Sequence, residues 1–220
     1  MATLDAMTRK TAECIASFGT KNKINGLPDL NNKSLPWAAQ MTLSNYADNT
    51  RYNDSDGLLG GHVPYKVNSS RGQSGNMISS PYHLLQADGA NCPVPKEWSN
   101  LYYPWWDNWK DHLFYAISKD FQPVNQAITN CEICLNLNGS GNYAAVVIFA
   151  GIKLAGQNRT DKSLASAYLE GRNAVNISAP NDQGNYQIEA ATRAFNDLVY
   201  CIKQDMTIAQ GNSLFSPACP

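Results

Sequence analysis

Charge is scarce in this chain of 220 residues: Asp, Glu, Lys and Arg supply 16% of it, against ~25% in ordinary globular domains. The net charge is −1 with no basic run, so the electrostatic footprint of strong nucleic-acid binding is missing. Long hydrophobic runs are missing too. Tyr143–Ala150 is the longest, far short of the ~20 residues that a membrane-crossing helix needs. No Gly-x-Ser-x-Gly elbow, phosphate-cradling glycine loop or His-Glu-x-x-His pair occurs. Gly72-Gln73-Ser74-Gly75 sets a serine between glycines but lacks the strand–turn–helix surroundings of a nucleophile elbow. With no base positioned beside a nucleophile, the sequence points away from an enzyme, and no cofactor is expected.

Hydrophobic residues nevertheless make up 43% of the chain, enough for a sizeable core in one domain spanning residues 1–220. Polarity comes from Asn, Ser, Thr and Gln, a composition common in exported surface proteins. Six cysteines, Cys14, Cys92, Cys131, Cys134, Cys201 and Cys219, are spread over the whole length. An even set of this kind reads as disulfides in an exported protein. Zinc would need several local ligand pairs. Cys131-Glu132-Ile133-Cys134 is the one such pair, and His62, His83 and His112 are scattered. Disulfides are therefore preferred to zinc, although six cysteines allow many pairings.

Leu4, Met7, Thr11, Cys14, Ile15 and Phe18 recur at three- and four-residue steps. This predicts a helix over 1–19 with one apolar face, capped by Gly19. Residues 20–110 are broken by prolines and by glycine-rich stretches at 57–61 and 72–75. They read as a long variable loop region, a kind of segment that is functional or pinned by a cross-link, and Cys92 lies within it. Residues 111–155 carry three strand-like runs, at 113–118, 132–138 and 143–150, with a turn at Asn138-Gly139-Ser140-Gly141. The last run is almost continuously apolar, so it is expected to be buried on both faces. Within the helical and connecting stretch 156–206, helices are expected at 162–170 and 186–206, followed by an irregular tail over 207–220. The fold class is α+β: a long N-terminal helix on an antiparallel sheet, with a disulfide-pinned loop region.

Two segments are candidate sites. Asn53-Asp54-Ser55-Asp56-Gly57 places oxygen ligands before a glycine turn, as calcium sites do, with Asp54 and Asp56 as the ligands. Tyr52 stands where the first acidic ligand belongs, and no Glu closes the loop. An Asx-rich surface turn is therefore preferred, and no metal is expected. Tyr102, Tyr103, Trp105 and Trp106, with Trp109, crowd around Pro104. Exposed, they would form a binding patch on which a sugar or protein could stack. Buried, they would be a satellite core under the long loop, which solubility favours.

Leu35-Pro36-Trp37-Ala38 and Gly60-Gly61-His62-Val63-Pro64-Tyr65, set after the first helix, resemble segments of the pilin-like proteins of type IV pili and type II secretion, in particular a minor-pilin-like group. Four further segments are similar to that family in the same order. They are Trp109–Ser118 (with Asp111 where a small polar residue is usual), Tyr143–Gly151, Tyr168-Leu169-Glu170-Gly171 with Asn173, and Asn196-Asp197-Leu198-Val199-Tyr200. The resemblance spans roughly residues 3–203. It implies a structural subunit that assembles into, or primes, a type IV pilus or type II secretion pseudopilus, with other pilin-like subunits as partners. It also implies a periplasmic or extracellular location, and an inner-membrane anchor formed by an apolar N-terminal helix. This sequence, which opens Met1-Ala2-Thr3-Leu4, does not include that helix. Because pilins commonly close a disulfide near the C-terminus, the resemblance favours Cys201 pairing with Cys219, with Cys14–Cys201 as the competing pair. The alternative function is an exported adhesin-like module that binds a glycan or a protein.

Overall fold

The computed structural model describes residues 4–21, 34–67, 82–83, 105–123, 131–180, 183–211 and 219. Helix α1 (Leu4–Lys21) forms over the apolar stripe, and Met7, Ala12, Cys14, Ile15 and Phe18 are buried. Thr8 and Thr11 are buried with them. Each donates its hydroxyl to the carbonyl four residues back, on Leu4 and Met7, so neither needs a partner from the sheet. Asp5 lies in the first turn, where a carboxylate complements the helix dipole. It accepts the Tyr200 hydroxyl at 2.7 Å and the Gln210 amide at 2.9 Å, which ties the start of α1 to the C-terminal strands. Gly19 is not the cap. The helix continues past it to Lys21 with Gly19 buried, because packing outweighs the ~1 kcal/mol that a helical glycine costs.

The sheet contains β1 (Gly60–His62), β4 (Leu113–Ile117), β5 (Leu135–Leu137), β6 (Ser140–Phe149), β7 (Asn185–Tyr186), β8 (Leu198–Lys203) and β9 (Ile208–Gln210). The long strand β6 organises it, pairing antiparallel with β4, with β8 and, at its start, with β5. β1 extends the sheet beyond β4, β9 pairs with β8, and among the described strands only β7 runs parallel, alongside β5. β2 (Lys66–Val67) and β3 (Tyr82–His83) form a separate two-stranded ladder. Successive side chains of a strand point to opposite faces, so β6 feeds two cores. Ala145, Val147 and Phe149 join Met7, Ile15 and Phe18 of α1. Val146, Ile148 and Ala150 join Leu169, with Ala174 and Ile177 of the helix Gly171–Ser178. The fold is α+β, with a curled, mostly antiparallel sheet, and 143–150 is buried on both faces as its apolar run requires.

Several expected boundaries shift. The stretch 186–206 is not a helix; its second half is strand β8. Leu198, Val199 and Ile202 match helical spacing, but Val199-Tyr200-Cys201-Ile202 is also a continuous β-branched and aromatic run. It is buried throughout and pairs with residues 145–148 of β6. A short apolar run carries no period of its own, and the open edge of β6 decides it. In place of a helix over 162–170 there is one turn at Ala165–Ala167, with helix formation delayed to Gly171–Ser178. The loop region contributes β1 to the sheet, and the tail contributes β9. The strand expected at 132–138 is confined to Leu135–Leu137.

The two segments that open the variable region meet. Ala39 and His62 exchange backbone hydrogen bonds at 3.0 and 2.9 Å, and Ala38 N donates to the Leu58 carbonyl at 3.0 Å. A Cβ on Gly61 would lie 2.1 Å from the Ala39 carbonyl oxygen, so glycine is required for this close approach. Trp37 is buried between them, and the Tyr115 hydroxyl fixes the Pro36 carbonyl at 3.0 Å.

Candidate functional site

Three polar arrangements stand apart from the apolar cores. The first centres on Asp111, held in the turn Lys110–His112 immediately before β4. One carboxylate oxygen accepts the Tyr52 hydroxyl and the other accepts the Lys162 ammonium, both at close range. Lys162 also sits 5.6 Å over the Tyr46 ring. Asp111 thereby ties the loop around residues 41–54 to the turn at 161–163. Burial first, and then the Asp111 carboxylate, raises the Tyr52 phenol far above its ordinary range, so it stays a hydrogen-bond donor.

Two histidines flank this hub. His62 is fully buried, stacked on Phe114 at 5.0 Å and edge-on to Tyr52 at 5.5 Å. His112 lies against Trp109, Phe149 and Tyr168. Burial lowers both to about 4, so both are neutral at physiological pH. Among the described residues, neither makes a side-chain hydrogen bond to a carboxylate, hydroxyl or thiol. His62 is a ring-packed core group, and His112 is half-buried among aromatic rings.

The second arrangement is a groove of ≈ 380 Å³ on the outer side of the same loop. One wall is Gln40, Thr42, Leu43 and Ser44; the other is Arg51, Asn53, Asp54 and Ser55. Gln40 donates to the Ser55 hydroxyl across it at 3.1 Å. The walls are held from behind. The Tyr46 hydroxyl donates to the Met41 carbonyl and accepts from Leu43 N, Asp48 caps the turn Asn49–Arg51, and Asp54 N donates to the Lys66 carbonyl. Arg51 pairs with Asp48 at 3.4 Å.

The third is a pair of buried carboxyls. Glu170 accepts from the amides of Asn196 and Asp197 at 3.0 and 3.1 Å, while Asp197 accepts from Glu170 N at 3.1 Å and from the Asn173 amide at 3.0 Å. Gln157 adds a bond to Glu170 at 2.8 Å. Burial and a carboxyl–carboxyl hydrogen bond to Glu170 push Asp197 up to about 8, as expected where two acids share one site. The segments Tyr168–Asn173 and Asn196–Tyr200, far apart in sequence, are thus reciprocal partners.

The candidate residues read from sequence fall as follows. Asp54 is buried in the groove wall and Asp56 is exposed. Among the described residues, no group of three or more His, Cys, Asp or Glu is placed to hold a metal. Trp105 and Trp106 are buried at 5% and 6% exposure. Trp106 stacks on Tyr65 at 5.2 Å and meets Tyr52 edge-on at 5.9 Å. Both belong to the main core that α1 shares with the sheet and not to a separate satellite under the loop; Tyr102 and Tyr103 lie outside the described residues. Cys131 pairs with Cys134 and Cys201 with Cys219. Cys14 is disulfide-bonded as well, and Cys92 lies outside the described residues. Disulfides of this kind belong to an oxidising compartment, extracellular or periplasmic. No helix among the described residues is long and apolar enough to cross a membrane.

Sequence reasoning missed the groove and the pairing of Asp111 with Lys162, because both depend on which loops fold together. Glu170 and Asp197 did lie inside quoted motifs, and the Glu-Gly and Asn-Asp steps were the available signal. Compared with known proteins, the chain matches no family model, no curated protein and no solved structure, so its function is read from this arrangement of residues.

Proposed function

We propose that the chain is the exported domain of a pilin-like subunit, a minor pilin or pseudopilin acting in filament assembly or priming. The observation that carries this reading is the convergence of its motif segments. Leu35–Ala38 runs directly into Ala39, which exchanges backbone hydrogen bonds with His62 of Gly60–Tyr65, and Tyr168–Asn173 is bonded to Asn196–Tyr200. Motifs matched by chance would not be expected to meet in pairs at the long-range staples of one fold. The placement of α1 supports the same reading. Its buried face packs on the sheet, while Arg9 and Glu13 form a narrow charged strip on the outside, bonded to each other at 3.1 Å. Such a strip suits lateral contact with charged neighbours in a filament and leaves the sheet undisturbed. The disulfide between Cys201 and Cys219 adds a C-terminal closure of the kind the family uses.

In this reading the partners are other pilin-like subunits and the full-length protein is anchored in the inner membrane before assembly. The gene provides the test. Directly upstream of Leu4 it should encode ~20 apolar residues, preceded by a Gly-Phe-x-x-x-Glu processing signal. A polar or unrelated domain at that point would end the proposal.

A further inference from the structure

We propose that the groove on the loop 40–55 binds a neutral saccharide of one or two rings. Its ≈ 380 Å³ lies at the small end of the range for small-molecule sites. Gln40, Thr42, Ser44, Asn53 and Ser55 line it with side-chain amides and hydroxyls, groups that both donate and accept. Sugar hydroxyls need both at once. Leu43 supplies the single apolar wall for the C–H face of a ring.

The charges argue for a neutral ligand. Arg51 is already matched by Asp48, so no unpaired cation faces a phosphate, and among the described residues no group of three or more His, Cys, Asp or Glu stands there to hold a metal ion. The Asn53 side-chain oxygen is buried without a hydrogen-bond partner among the described residues. Buried polar atoms are ordinarily satisfied, so a ligand hydroxyl would complete it. The walls are also fixed in advance. Tyr46 closes the 41–46 segment through both bonds of its hydroxyl, and Tyr52, between Arg51 and Asn53, is anchored on Asp111. Little loop ordering is then lost on binding. The groove does not use the filament-forming strip of α1, and its test is independent of assembly.

Isotope-labelled protein titrated with lactose, maltose and diacetylchitobiose should show saturable amide shifts confined to residues 40–55 with at least one of them. Asn53→Leu should weaken that binding about tenfold or more, the value of one well-made hydrogen bond to a buried group. Ser44→Trp, at an exposed position, should fill the groove and abolish the shifts while leaving the rest of the spectrum unchanged. It remains decisive even if Asn53→Leu fails to fold. The proposal is overturned if no sugar gives saturable shifts, if the shifts fall elsewhere, if Ser44→Trp binds as before, or if a tetra-alanine peptide produces the same pattern.

Discussion

Replacing Asp197 by Asn should remove a pH dependence that the native protein cannot avoid. Asp197 is 1% exposed, and its carboxyl titrates at about 8 when folded against 3.8 when free. Between those values the unfolded chain gives up a proton that the folded chain keeps. Stability from this group is therefore complete below about pH 4 and is lost as pH rises through 8. The neutral histidines act in the opposite sense. Folded values near 4, against 6.5 when free, make stability rise with pH between 4 and 6.5. The two effects oppose one another up to pH 6.5, and above it the carboxyl pair outweighs the histidines as the unfolded chain gives up its last imidazolium protons. From pH 6.5 to 8 the native protein should lose roughly 1 kcal/mol: at 1.36 kcal/mol per proton and pH unit the carboxyl removes about 1.6 kcal/mol and the two histidines return about 0.8 kcal/mol. In Asp197→Asn, the amide oxygen can still accept from Glu170 N and Asn173, and the amide N–H can donate to Glu170. The variant should stay folded, rise by about 1 kcal/mol from pH 6.5 to 8 where wild type falls, and rise more steeply than wild type between 4 and 6.5. Urea unfolding at half-unit pH intervals measures this directly. A wild-type profile that is flat or rising above pH 6.5, or a variant that keeps the wild-type slope, would refute the shared-proton account.

Cys201→Ser should lose ~3 kcal/mol in urea unfolding, the loop entropy expected for a bridge with a sequence separation of 18; a loss below about 1 kcal/mol would mean that β8–β9 pairing holds the tail unaided. Unreduced intact mass should lie six hydrogens below the reduced mass with no zinc, and free thiol at Cys131 or Cys134 would contradict the pairing seen here. Phe18→Ala should destabilise by ~3–5 kcal/mol, since Phe18 is buried in the core between α1 and the sheet; a drop under about 1 kcal/mol would mean that α1 is not seated there.

The sequence by itself determined much of this architecture. The stripe Leu4–Phe18 read as a helix with a buried face, and the apolar run at 143–150, rich in β-branched and aromatic residues and set after the turn at 138–141, read as a strand covered on both sides. An even cysteine set and scattered histidines selected disulfides over zinc. These features are legible because local period and chemistry decide them, whatever surrounds them. Tertiary structure decided the rest. Val199–Ile202 is a strand because β6 offers an open edge, and Trp105 and Trp106 are core because Tyr52 and Tyr65 pack on them. Asp111 is a hub because Tyr52 and Lys162, distant in sequence on either side of it, arrive at its two oxygens. The groove exists only because Tyr46 and Asp111 fold the 40–55 loop into a fixed shape. Such outcomes depend on contacts between residues far apart along the chain, and one-dimensional pattern carries no record of which distant segments will meet.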